Sequence, residues 1–147
     1  IKEDEKLEGR AKDANFKLNN NLKGVFAPFF CVKKETYKLE TAENQYSDRE
    51  YNVNISFPEF TCLCPRTGLP DFATISINYI PRNLLVELKS LKLYFLNYRN
   101  MGIFHEHVTN MILDDFKSAC NPKKITVTAS FGTRGGIDTV VKSSWPN

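Results

Sequence analysis

The patterning of this chain predicts an α+β domain, an antiparallel four-stranded sheet with two helices on one face, in ββααββ order. Three observations predict it. Two stretches of alternating apolar and polar residues lie before Pro81, and two lie after Pro122. Between them run two segments whose apolar residues recur at three- and four-residue steps. Short turns rich in Gly and Pro join the strands of each pair, which implies hairpins and antiparallel pairing.

Residues 1–45 stand apart from the rest. The opening is charged and Asn-rich with weak periodicity, so it is expected to be an extension, partly mobile or docking on a neighbour. Val25, Phe26, Phe29, Phe30 and Val32 form an apolar island within it. Residues 46–147 are expected to form one folded domain. Its first strand is read from Val53, Ile55 and Phe57 alternating with Asn52, Asn54 and Ser56. A second follows in Ile75, Ile77 and Tyr79, alternating with Thr74, Ser76 and Asn78 and stopped by Pro81.

Leu84, Leu88, Leu91, Phe95 and Tyr98 mark a core-facing helix, and Gly102 separates it from the next. That second helix carries Phe104, Val108, Ile112, Phe116 and Ala119, and Asn121-Pro122 ends it. Ile125, Val127, Ala129 and Phe131 alternate in a third strand, and a Gly-rich turn leads to the last, Ile137 to Val141. A sheet this small leaves edges and one face uncovered, which favours assembly into a ring.

The totals exclude several classes. The 147 residues suffice for one domain with a real core, and 41% hydrophobic with 25% charged is ordinary for a globular protein. No apolar run approaches the roughly 20 residues that span a bilayer. No secretory leader pattern is visible, and a chain opening at Ile1 rather than Met leaves room for preceding residues. A net charge of +3, with lysines spread along the chain, is too mild to argue for direct nucleic-acid binding. Cys31, Cys62, Cys64 and Cys120 make no disulfide framework, so a reducing, cytoplasmic compartment is expected.

Three constellations carry chemistry. The turn Cys62-Leu63-Cys64-Pro65-Arg66-Thr67-Gly68-Leu69-Pro70-Asp71 places two thiols and a carboxylate between two strands. Pro65 biases Cys64 toward an extended backbone. A thiol beside a carboxylate suits covalent attack with proton transfer; a buried cysteine and a turn aspartate would read the same way. The segment Glu87 to Tyr94 puts Lys89, Ser90 and Lys92 near a helix start, either a phosphate site or a solvated helix face. His105, Glu106 and His107 open the second helix, where Glu106 would also complement the helix dipole. Cys62, Cys64, His105 and His107 offer enough ligands for zinc, but the two histidines, two apart, point in different directions on a helix. No metal is expected.

Taken together these segments resemble the NADPH-dependent nitrile reductases of queuosine biosynthesis, the 7-cyano-7-deazaguanine reductases. The match is carried by PEFTCLCPRTGLPDFATI (Pro58–Ile75), YIP (Tyr79–Pro81), VELKSLKLYFLNYRN (Val86–Asn100), FHE (Phe104–Glu106) and RGGI (Arg134–Ile137). It covers roughly Leu39 to Val141. The resemblance implies the tunnelling fold, whose subunits join through their sheets into rings, sometimes two stacked rings, with sites between subunits. It also implies Cys64 as nucleophile, adding to the nitrile to give a thioimide, with Asp71 as proton shuttle and His105 assisting later proton transfers. Glu106 would grip the deazaguanine edge, with His105 shaping the pocket and Val86, Glu87 and Leu88 lining the substrate from a neighbouring subunit. Lys89, Ser90, Lys92 and Arg134 would hold the phosphates of NADPH, two of which are used per turnover.

The chain departs from that pattern in places. Leu88 replaces a frequent serine, Met101 stands where many relatives have histidine, and Cys62 is an extra thiol. Cys64 ranks above Cys62 because Pro65 follows it, as in the family pattern. Two other readings remain: an amidinotransferase acting on cyano-deazaguanine in tRNA, and a catalytically silent assembly subunit. The intact Glu87–Tyr94 segment argues against the first, and retention of Cys64, Asp71, His105 and Glu106 argues against the second.

Overall fold

Alternating apolar side chains along four strands need a cover on one side only, and the chain supplies it with two helices. The computed structural model describes residues 36–146. The apolar island at 25–32 lies outside them. The elements are β1 (Thr41–Glu43), β2 (Val53–Leu63), β3 (Pro70–Ile80), β4 (Leu84–Val86), α1 (Leu88–Leu96), α2 (His105–Cys120), β5 (Lys124–Arg134) and β6 (Ile137–Trp145).

The main sheet has the order β2-β3-β5-β6 and is antiparallel throughout. Its inward residues follow the period of two: Phe60 and Cys62 on β2, Ala73, Ile75, Ile77 and Tyr79 on β3, and Ile125, Val127, Ala129 and Phe131 on β5. Leu91, Tyr94, Phe95 and Tyr98 of the first helical segment and Val108, Ile112, Leu113, Phe116 and Cys120 of α2 complete one core. Phe95 stacks on Phe57 at 4.6 Å, and Phe116 meets Tyr79 edge-on at 4.9 Å.

Element ends follow local chemistry. Asn121 closes α2 in the left-handed conformation, φ 43°, and Pro122 follows it. The β5–β6 hairpin turns through Gly135 and Gly136, both at positive φ, between the paired residues Arg134 and Ile137. A two-residue turn of that kind requires glycine-like backbone freedom. Pro58 sits in β2, tolerated because that strand is an edge and carries a register shift between Phe57 and Phe60.

One element departs from the periodicity. Leu84, expected on the first helix, lies instead in the short strand β4, which pairs with β1 through Thr41–Val86, Ala42–Leu85 and Glu43–Leu84. The helix starts only at Leu88 because Glu87, still extended, caps it. The chain before β1 is tied down as well: the Asn97 side chain accepts from the Tyr37 N–H at 3.1 Å and donates to its C=O at 2.8 Å.

Among the described residues the other sheet face is uncovered. Asn54, Asn78, Thr126 and Ser144 form one row across all four strands, with the Asn78 amide bonded to Asn54 and Thr126 to Ser144. β2 and β6 are the outer strands of the sheet, and the only backbone bridge on an outer edge among the described residues is the one at Leu63. No helix of the described residues is long and apolar enough to cross a membrane.

Phe116 is fully buried and touches both layers, so Phe116→Ala is expected to cost about 3–5 kcal/mol of unfolding free energy. Urea denaturation checks this, and a loss below about 1 kcal/mol would place Phe116 outside the main core.

Candidate active site

The site is assembled by a backbone contact at the end of β2. The Leu63 N–H donates to the Met101 carbonyl at 2.9 Å, and the Ile103 N–H donates to the Leu63 carbonyl at 3.0 Å. The connector between the helices is thereby pinned beside β2, as a parallel bridge between Leu63 and Gly102. Cys64 is the next residue on one side of this clamp, and His105, first residue of α2, lies just beyond it on the other. Strand register adds the third group, since Cys62 pairs with Asp71.

Asp71 continues the inward parity of β3 to the sheet's end, so its carboxylate points toward the core side and is only 7% exposed. Two basic side chains meet it there. His105 Nε2 lies 3.3 Å from Oδ2, and an Arg134 terminal nitrogen lies 3.3 Å from Oδ1. The His105 ring is held flat on Phe131, with centroids 3.6 Å apart and planes 5° from parallel. Arg134 reaches the carboxylate from the end of β5, after a register shift between Phe131 and Arg134. Irregularities of this type re-aim a strand's last side chains.

Cys64 occupies a closed turn. Its N–H donates to the Leu69 carbonyl and its carbonyl accepts from the Gly68 N–H, both at 2.8 Å. Gly68 takes φ +70°, where a side chain would be strained. The thiol is partly exposed, and its pKa is drawn below the ordinary value by hydrogen bonds from the Thr67 hydroxyl and from the Arg66 and Thr67 N–H groups. The nearby charge of Asp71 opposes that shift. Cys62 is the opposite case: burial first, then Asp71 and Cys64, push its thiol up to about 12. Of these two thiols, only Cys64 combines access with thiolate character.

The start of α1 forms a second group. Glu87 caps it, accepting from the Lys89 N–H at 2.8 Å and the Ser90 N–H at 2.6 Å. Those two bonds hold its carboxyl below the usual range. Ser90 is buried, and its hydroxyl donates to the Glu87 carbonyl and accepts from the Glu40 N–H. Val86 is buried in β4, whereas Leu88 is exposed, as are Lys89 and Lys92. Glu106 is exposed in the first turn of α2, beside His107, which stands edge-on to Phe104.

The residues singled out from sequence therefore divide in two. His105 and Arg134 meet at the Asp71 carboxylate, and Cys64 lies near enough to feel its charge. Val86 to Lys92 sit at the α1 start, and no hydrogen bond or ion pair among the described residues joins the two sets. Arg134, expected among phosphate ligands, is with Asp71. Phe131 and Thr67 were not singled out. Phe131 was visible as the aromatic closing an alternating strand, and Thr67 as a hydroxyl three residues after a cysteine. Among the described residues, no group of three or more His, Cys, Asp or Glu is placed to hold a metal ion.

Comparison with known proteins fits this geometry. The family model described as "QueF-like protein" matches residues 70–146. A protein of Chloroherpeton thalassium named NADPH-dependent 7-cyano-7-deazaguanine reductase is 56% identical over 107 residues, covering 73% of this chain and 92% of the relative. The protein of that name from Chlorobaculum tepidum is 52% identical over 107 residues, with the same coverage of each chain. The solved apo structure of an archaeosine synthase QueF-Like superposes with a TM-score of 0.57 at 24% identity, covering 65% of this chain and 91% of that one. At that identity the likeness is one of fold.

The Glu87 cap makes a pH-dependent contribution to stability. Its carboxyl is depressed in the fold, so the contribution is complete above the unfolded pKa of about 4.3 and is lost as pH falls through the lower folded value. Glu87→Gln is expected to lower the urea midpoint at pH 7, with the gap from the parent closing as pH drops below about 4. A gap independent of pH would contradict the capping role of the charge.

Proposed function

This chain belongs to the family of NADPH-dependent 7-cyano-7-deazaguanine reductases, and we propose that it reduces the nitrile of 7-cyano-7-deazaguanine to the primary amine. The observation that carries the reading is the partly exposed Cys64 thiol, its pKa lowered, near a buried Asp71 held by His105 and Arg134.

A nitrile accepts hydride poorly, so prior covalent activation is the useful service of a thiol. The Cys64 sulfur adds to the nitrile carbon, one C–N π bond breaks, and the thiol proton passes by way of Asp71 to nitrogen. The result is a thioimide. NADPH, when bound, supplies hydride to this carbon, twice per nitrile. Between the two deliveries Cys64 departs as thiolate, leaving an imine, and one further proton enters at each reduction. In this reading His105 relays those protons; its 3.3 Å approach to Asp71 and its stacking on Phe131 support that role. The balance is one nitrile, two NADPH and two protons giving one aminomethyl group and two NADP⁺.

The α1 start fits the cofactor's phosphates in part. Lys89 and Lys92 are exposed cations near the N-terminal end of a helix, a favourable setting for anions. Ser90 instead holds the turn that presents them, since its hydroxyl is already bonded to Glu40 and Glu87. Glu106 suits the paired N–H donors of a guanine-like edge. Val86, Glu87 and Leu88 would serve a neighbouring subunit's substrate. Two outer strands with largely open edges and a polar sheet face uncovered among the described residues support assembly into rings. We place the reaction in the cytoplasm, where thiols stay reduced, as a step toward queuosine in tRNA, acting on the free base.

The reading is tested by mixing the purified protein with the cyano base and NADPH. Two NADPH oxidised per nitrile is expected; none would support a silent subunit. Asp71→Asn is expected to slow reduction by about 10²–10⁴-fold with little change in nitrile binding, and an unchanged rate would remove Asp71 from proton transfer. Lys89→Ala is expected to raise the KM for NADPH about tenfold and leave that for the nitrile unchanged. Equal effects on both would contradict a phosphate contact.

A further inference from the structure

Two basic side chains share the Asp71 carboxylate, and they differ in kind. His105 Nε2 lies 3.3 Å from Oδ2, and an imidazole both accepts and donates protons. Arg134 lies 3.3 Å from Oδ1, and a guanidinium only donates and keeps its charge at every working pH. The two oxygens of one acid are therefore unequal. Oδ1 is tied to a permanent cation, and Oδ2 is left on the side where protons move.

Arg134 reaches that oxygen from the last rung of the β5–β6 hairpin, where it pairs with Ile137 beyond the register shift that follows Phe131. Asp138, the nearest acid along the chain, takes the Thr133 hydroxyl instead. Among the described residues Arg134 makes no other ion pair. Its side chain is 44% exposed and that of Asp71 only 9%, so the arginine spans from solvent to the rim of the core. The remaining ionisable neighbours of Asp71 cannot replace it. Cys62, its partner on β2, has a buried thiol pushed up to about 12, and Cys64 on the adjoining turn meets the carboxylate as a repulsion. A carboxylate's χ2 is broad and roughly twofold, so its plane is set by what it is bonded to. Without Arg134 the buried acid would be less compensated and freer to rotate.

We propose that Arg134 is a positioning residue for the addition step: by holding Oδ1 it turns Oδ2 of Asp71 to carry the thiol proton of Cys64 to the nitrile nitrogen. In that step the S–C bond forms and one C–N π bond breaks. The proton leaves sulfur for Oδ2 and then Oδ2 for nitrogen, with nothing oxidised or reduced. The inference rests on the reductase reading for the identity of the nitrile, and it gives Arg134 a task in which NADPH takes no part.

The test compares the parent, Arg134→Gln and Arg134→Lys without NADPH. Each is mixed with 7-cyano-7-deazaguanine over a range of concentrations and quenched at intervals, and the covalent adduct on Cys64 is followed by mass. The neutral Arg134→Gln is expected to form adduct about ten- to a hundredfold more slowly at saturation, with half-saturation within about twofold of the parent's. Arg134→Lys keeps a cation and is expected to come within about fivefold of the parent. Alkylation of Cys64 by iodoacetamide, which needs no proton delivered to nitrogen, is expected to stay within about threefold in both variants. A parent-like addition rate in Arg134→Gln would overturn the inference, and a raised KM for NADPH beside it would assign the arginine to the cofactor alone. Equal losses in the Gln and Lys variants would overturn it too, as would an alkylation loss as large as the loss of addition, the mark of a merely structural effect. A parent that neither forms the adduct nor oxidises NADPH fails the reductase reading, whereas a parent-like Arg134→Gln fails this inference alone.

Discussion

The two hydrogen bonds made by the Leu63 backbone are the constraint on which the site depends. They join the end of an edge strand to the connector between two helices, segments about 40 residues apart in sequence. On one side they set where the Cys64 turn begins; on the other they set where α2 begins and so where His105 points. Helix packing alone would leave α2 free to slide along the sheet by fractions of a turn. The bridge removes that freedom at the end where chemistry is needed. A hydrogen bond of about 1 kcal/mol is modest in stability, but placement within tenths of an ångström is what a proton relay requires.

The same sheet end shows how one strand parity produces two kinds of thiol. Cys62 lies in the core, where desolvation keeps its proton on. Two residues later the strand has ended, the chain turns through Pro65 and Gly68, and Cys64 meets backbone donors instead of side-chain carbon. Asp71 shares the core-facing parity of Cys62 and is buried for the same reason, but it is compensated by His105 and Arg134 on separate oxygens. A buried carboxylate without such partners would carry a large desolvation cost. The candidate site thus sits at the rim of the core, where burial orders Asp71 and partial exposure leaves the Cys64 thiol accessible.

Much of this was legible in the sequence, and what was not has physical causes. The four long strands and both helices announced themselves because each buries one face, which imposes a period of two or of 3.6 on the side chains. The α+β architecture followed. The β1–β4 pair did not, because three-residue strands carry no period and Leu84 happens to fall four residues before Leu88. Only the extended Glu87 cap separates the two readings. Cys64, Asp71 and His105 could be named from their motifs, but their meeting depends on the Leu63 bridge, a backbone contact that leaves no trace in residue type. Arg134 was assigned to the cofactor phosphates through the family resemblance; its ion pair with Asp71 comes with the register shift in β5, which residue type does not announce. Ser90 looked like a free donor, but its hydroxyl donates to the Glu87 carbonyl and accepts from the Glu40 N–H, 50 residues away.

The central claim is that the Cys64 sulfur bonds the substrate carbon, and it can be tested without turnover. The protein is incubated with 7-cyano-7-deazaguanine in the absence of NADPH, then digested, and the modified peptide is sequenced by mass spectrometry. The account predicts one base per chain, covalently held on Cys64, with Cys62 unmodified. Addition at Cys62 instead, or no covalent addition to a chain that still consumes NADPH with the nitrile, would contradict it.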